Sequence, residues 1–334
     1  MNSIISEAVR KQRTLTGHFM DVVHNNQLSH AYLLCGEPGS GKLALALTIT
    51  MRLFCKRVDQ NYPCGKCNEC MRITKHEHPD VVLISPRGQS IKIDQIRYLK
   101  AEFSKSAVEG NLKVFIINDA DRMTVSAANS LLKFIEEPSG NVVSFLLTND
   151  KSAILPTIVS RTQVVELPSV PKKVFFNELK AADVNPSQYN LLAVLTNDVG
   201  TAKKWNAGDW FGTLQKAIGT WFKQIEQGNL MAYPLVQISI MPLIHNHHDR
   251  EITAEMMIQI WCDVMNVKFE NTPRQDLKFP QNYDEITKVA KRITTDQLLN
   301  IIDMTLETHQ LLTENVNFQN ILEMMTLKTL AWLK

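Results

Sequence analysis

Ala31-Tyr32-Leu33-Leu34-Cys35 runs directly into Gly36-Glu37-Pro38-Gly39-Ser40-Gly41-Lys42-Leu43. The first five residues read as a short buried strand. The next eight carry a glycine, four residues, a second glycine and a lysine, the spacing of a phosphate loop between a strand and a helix. Small residues let successive N–H groups curl around a phosphate. The helix N-terminus adds favourable potential, and the lysine reaches the terminal phosphates. Gly36, Gly39, Gly41 and Lys42 are therefore the candidate phosphate cradle. The template closes on Ser or Thr, whose hydroxyl holds Mg²⁺. Leu43 stands there and offers no oxygen.

Outward from this loop, short apolar runs alternate with helical stretches. Residues 31–35, 80–84, 113–117, 142–147 and 162–167 are rich in branched residues, as strands covered on both faces should be. Between them, Ala128, Leu131, Leu132 and Ile135 share one face of a helix over 124–137, and Pro138 ends it. This order predicts a parallel α/β sheet. After Pro168-Ser169-Val170-Pro171 the strand signal stops. Residues 174–205 read as a small helical unit and the remainder as helical throughout. Thr294 to Gln297 has the form of a capping box, and Asn317 is placed to cap a last helix. The expected division is 1–167, 168–206 and 207–334, with an insertion at 55–78 in the first part.

The strand at 113–117 leads into Asn118-Asp119-Ala120-Asp121. A working site of this kind needs an aspartate to hold Mg²⁺ and then a glutamate to orient water. Asn118 falls at the first position and Asp119 at the second. With Leu43 this makes three departures at three distinct chemical tasks. A retired site is one reading; an active ATPase in which Asp119 serves as metal ligand is the other.

Cys64-x-x-Cys67-x-x-Cys70, with Cys55 nine residues upstream, supplies four sulfurs for a closed tetrahedral Zn²⁺ site. Free thiols on a loop are the bland alternative, and His76 or His78 in place of Cys55 a further one. Lys56, Arg57, Lys66 and Arg72 leave open a nucleic-acid-binding knuckle. Cys35 and Cys262 read as lone core residues. His245, His247 and His248 suit an exposed loop better than a metal pair. Met256, Met257, Trp261 and Met265 suit a helix core.

The chain of 334 residues has 36 Lys+Arg against 34 Asp+Glu, net +2. That balance excludes coating nucleic acid by charge alone. No run is apolar enough to span a membrane and residues 1–12 carry no secretory signal, so the cytoplasm is the expected location.

Ser29-His30-Ala31-Tyr32-Leu33, the loop, the four cysteines and Ala127-Ala128-Asn129-Ser130-Leu131-Leu132-Lys133-Phe134-Ile135-Glu136-Glu137-Pro138 occur in this order. Together they resemble bacterial clamp-loader subunits of the AAA+ class, over residues 28–167. The resemblance implies an AAA+ α/β domain, a small helical lid and an all-α collar, with structural zinc on Cys55, Cys64, Cys67 and Cys70. It also implies a pentameric ring with gamma/tau and delta subunits, acting on a sliding clamp and primer-template DNA within the DNA polymerase III holoenzyme. The three departures favour the family's non-motor subunit type, which does not hydrolyse ATP/Mg²⁺, over the motor type. Ser160-Arg161-Thr162 is similar to the family's Ser-Arg-Cys motif, with Thr162 in place of cysteine. The resemblance makes Arg161 an arginine finger acting in trans at a neighbour's ATP site. An ordinary surface ion pair is the alternative. The motor type's second arginine position falls near Val199-Gly200-Thr201-Ala202 and is unfilled, with Lys203 and Lys204 nearby.

Overall fold

The computed structural model describes residues 2–104, 111–136, 140–314 and 316–333. Two compact units result, Met1–Val174 and Phe175–Lys334.

The first unit opens with helices α1 (Ser3–Lys11) and α2 (Arg13–His24), then β1 (Ala31–Cys35), α3 (Lys42–Phe54), α4 (Asn68–Thr74), β2 (Val81–Ile84), α5 (Ile93–Ser104) and β3 (Leu112–Ile117). It continues with α6 (Val125–Glu136), β4 (Asn141–Thr148), α7 (Pro156–Val159) and β5 (Gln163–Glu166). The five strands stand in the order β2-β3-β4-β1-β5, with every pairing parallel. All five expected strands are present, each within a residue of its expected ends. The helix expected at 124–137 is α6; Glu137 and Pro138 lie outside the described residues.

Alternation explains why these strands are apolar throughout. Tyr32, Leu34, Val114, Ile116, Val143, Phe145 and Leu147 share an apolar cluster with residues of α1–α4. Ala31, Leu33, Phe115, Ile117, Val142 and Leu146 belong to another, with residues of α5–α7. Side chains of a strand point to opposite faces in turn, so a strand covered twice needs no polar face. The register fixes where the strands end. Leu34 pairs with Leu147 and Cys35 with Thr148, and Ile117 with Leu146. The C-terminal ends of β1, β3 and β4 thus open on one edge, where α/β sheets place their ligands.

The second unit is helical. It begins within α8 (Lys172–Ala181) and continues with α9 (Tyr189–Leu195), α10 (Val199–Asn206), α11 (Trp210–Glu226), α12 (Ala232–Leu235), α13 (His247–Glu270), α14 (Tyr283–Arg292), α15 (Thr295–Thr313) and α16 (Phe318–Trp332). One apolar cluster runs from Phe175 to Leu330 and includes Met256, Met257 and Trp261, as expected, with Met265 packed against it. The capping box at Thr294 and the Asn317 cap are both present. Of the three histidines, His245 lies in the expected exposed loop and the other two depart from expectation. His247 and His248 are the first residues of α13, because Asn246 caps it by accepting the Asp249 N–H. Both pair with Glu251.

A buried carboxylate ties this unit to an irregular segment. Asp263 of α13 is fully buried. One oxygen accepts the N–H groups of Lys278 and Phe279 at 2.8 and 2.9 Å; the other lies 3.2 Å from the Lys278 ammonium. Burial pushes the acid up to about 6, against the pull of Lys278. In the unfolded chain it titrates near ~3.9, so the native chain binds this proton more tightly. The stabilisation is complete below about pH 4 and is lost as pH rises through about 6. Thermal melts are expected to show wild type losing about 3 kcal/mol relative to Asp263→Asn between about pH 4 and 7. A difference that is flat with pH counts against this reading.

Candidate functional site

The phosphate loop leaves the end of β1 and enters α3 at Lys42. Gly41 sits at φ 89°, where a side chain is strained. A Cβ at Gly36 would lie 3.0 Å from Ser40 Oγ and 3.1 Å from Leu167 Cβ. The loop is folded onto its own lysine. Lys42 Nζ donates to the carbonyls of Gly36 (2.6 Å) and Glu37 (2.9 Å), and to Asn149 Oδ1 (2.8 Å); Ser40 Oγ is 3.4 Å away. Burial lowers this amine to about 8, against Asp119 and Asp121. Leu43 packs half-buried against the apolar cluster under α3.

At the end of β3, Asn118 Nδ2 donates to Asp119 Oδ2 at 3.3 Å. Asp119 takes a left-handed φ of 51°. Asp121 Oδ1 accepts Thr148 Oγ1 at 3.0 Å and the Asn149 N–H at 3.2 Å, fixing the tip of β4 against the loop after β3. Leu43 and Asn118 offer Mg²⁺ neither the hydroxyl nor the carboxylate of the template. The position after Lys42 is an apolar packing residue, and the ammonium is already held by oxygens of its own chain.

Sequence patterning assigns no role to Asn149, Asp121 or Gln12. Asn149 carried a usable signal, since it directly follows a parallel strand at the ligand edge. Gln12 carried none. It is buried, and its Nε2 donates to Ser40 O (3.0 Å) and Pro168 O (2.8 Å).

Arg161 follows α7, away from this loop's contacts. Its guanidinium pairs with the Glu136 carboxylate and donates to Thr157 O at 3.0 Å and Ser160 Oγ at 3.2 Å. Its side chain is 37% exposed.

The sulfur atoms of Cys55, Cys64, Cys67 and Cys70 all lie within 4.8 Å of one another. Zn–S bonds of ~2.3 Å in a tetrahedron imply S···S separations near ~3.8 Å, so the set fits such an ion with little movement. Cys55 and Cys64 are already 3.6 Å apart. Burial works against a thiolate at Cys64, yet the N–H groups of Lys66 and Cys67 and neighbouring thiols bring it down to about 6. Burial pushes Cys70 well up; a bound dication would take all four as thiolates. His78 is turned elsewhere. It is buried, its Nδ1 accepts the Asp80 N–H at 3.2 Å, and its Nε2 lies 3.3 Å from Glu69. Of the four residues about the cluster that suggested nucleic acid, Lys56 and Arg72 both face Glu69.

A parallel sheet in this strand order, with a phosphate loop after β1 and a helical unit later in the chain, defines an AAA+ class protein. Residues 11–171 match the family described as DNA polymerase III, delta subunit. The chain is 34% identical to DNA polymerase III subunit delta' of Bacillus subtilis over 91% of its length and 92% of the relative's. It is 41% identical to subunit delta' of Pseudomonas aeruginosa over 40% of its length and 42% of the relative's. The crystal structure of a DNA polymerase III gamma subunit-related protein from Thermotoga maritima is similar at 18% identity, with TM-score 0.48, over 96% of this chain and 99% of that one. The chain belongs to the DNA polymerase III delta-prime family.

Proposed function

We propose that this chain is the non-hydrolysing member of a bacterial replicative clamp loader and lends Arg161 to the ATP site of a neighbouring motor subunit. One observation carries the reading. The phosphate-loop lysine is consumed by its own chain while an exposed arginine stands at the end of α7. A guanidinium is always charged and planar, and forks onto phosphate oxygens. At a neighbour's γ-phosphate it would stabilise the charge of the transferring group without any proton transfer. Glu136 holds the guanidinium until phosphate oxygens take its place.

The remaining assignments follow from this one. Gly36, Gly39, Gly41 and Lys42 form a degenerate cradle. Cys55, Cys64, Cys67 and Cys70 hold zinc, which staples the insertion at 55–78 and supplies no chemistry. Residues 1–167 form the AAA+ domain, 168–206 the lid and 207–334 the collar. The partners are gamma/tau and delta subunits, the sliding clamp and primer-template DNA reached through the assembly, in the cytoplasm. Among the described residues no helix is long and apolar enough to cross a membrane.

The test is single-chain ATP turnover with Mg²⁺, beside nucleotide binding. Turnover by the isolated chain is expected at least ~100-fold below that of a motor subunit, the scale of loss that misplaced groups produce. Leu43→Thr with Asn118→Asp is expected to restore binding before turnover. Brisk Mg²⁺-dependent hydrolysis by the unaltered chain would favour the active-motor reading instead.

A further inference from the structure

Two helices each have one end on the cysteine cluster and the other on the phosphate loop. Helix α3 starts at Lys42, and the residue capping its far end is Cys55. Its 13 residues span about 20 Å. Helix α1 packs beside it in the opposite direction. At its start, Asn2 Nδ2 donates to Thr74 Oγ1 at 2.9 Å and Gly65 O at 3.4 Å, inside the cysteine segment. The fit there is tight, since a Cβ at Gly65 would lie 2.6 Å from Asn2 Cβ and 3.1 Å from Ile5 Cδ1. At its finish, Lys11 covers Gly41, whose added Cβ would lie 3.3 Å from the lysine stem. Gln12, the next residue, holds Ser40 O and Pro168 O. Ile5, Ala8 and Lys11, three apart, are the buried face of α1.

We infer that α1 and α3 form a brace through which occupancy of the sulfur cluster sets the order of the phosphate loop. The inference rests on the reading of that cluster as a metal site. With the metal bound, the loop is held closed on Lys42. A helix of nine residues is too short to persist alone; isolated helices under about 12–15 residues are marginal. Helix α1 therefore depends on its buried face and on the seats at its two ends. Removing the metal loosens the segment under Asn2 and Ile5, frays α1 and releases Gln12 from Ser40. The Cys55 end of α3 loosens at the same time.

Hydrogen exchange on the full chain tests this, with metal content measured on each sample. Chelation is expected to speed exchange of residues 36–43 roughly tenfold, the scale of a local opening, while β4 stays protected. Asn2→Ala, with its metal retained, is expected to speed the same residues by a smaller factor. Gln12→Ala is expected to exchange fast there from the start, with chelation adding less than about twofold. If chelation opens residues 55–78 and leaves 36–43 unchanged, the brace is wrong and the metal reading stands. A chain that carries no metal overturns both. Should chelation unfold the whole protein, metal-loaded Asn2→Ala decides: unchanged exchange at 36–43 refutes the brace.

Discussion

Replacing Arg161 by alanine is expected to slow ATP hydrolysis at the one neighbouring site it faces by roughly 10³, within the range of arginine fingers. The reason is the loss of a preorganised charge aimed where charge develops, the largest single term in most phosphoryl transfers. Arg161→Lys should recover little, because an ammonium cannot fork onto two oxygens. Stability should not move in step. The guanidinium is exposed and its pairing with Glu136 lies at the surface, where such pairs are worth ~0–1 kcal/mol. Single-turnover hydrolysis by the reconstituted loader, beside a melt of the isolated variant, separates the two effects. Wild-type turnover with the variant present would sink the assignment and leave Arg161 as a surface ion pair.

The second large effect concerns the cysteines. Cys67→Ser, or a chelator on the wild type, is expected to remove about one equivalent of zinc and to lower the melting temperature by ten degrees or more. Structural zinc sites contribute about 10–16 kcal/mol in isolated peptides. Here the packing around Ile73 and the buried Cys70 retains part of the order, so the loss should be smaller. Elemental analysis and thermal denaturation read both quantities. A metal-free chain whose melt ignores the chelator would reduce the cluster to four thiols. Serine at the buried Cys70 is the harsher variant, because it also sinks a hydroxyl among apolar side chains.

The strands were legible because a parallel sheet covered on both faces leaves continuous apolar runs, and Tyr32 to Leu34 or Val142 to Leu147 have no other plausible use. The caps at Thr294 and Asn317 were legible because a side chain oxygen three residues before an N–H is a local event. The cap at Asn246 is equally local. His245, His247 and His248 mask it, because closely spaced polar residues pattern like a loop. The four cysteines were legible from spacing alone. What could not be read was the closure of the phosphate loop. Lys42 meets Asn149 across 107 positions, and Gln12 meets Pro168 across 156. Such pairs leave no periodic trace, since they exist only once the sheet has set its register. The sequence could report that Leu43 and Asn118 depart from the Mg²⁺-binding template. It could not report that Lys42 donates to Gly36, Glu37 and Asn149 of its own chain.

The sheet is also tapered. Its interior strand β4 runs for eight residues, whereas the two rim strands, β2 and β5, have four each. A rim that short exposes few unmatched backbone donors and acceptors to another molecule. Sheet-to-sheet adhesion thereby has little to build on, and helical faces and single side chains are left to choose any neighbour.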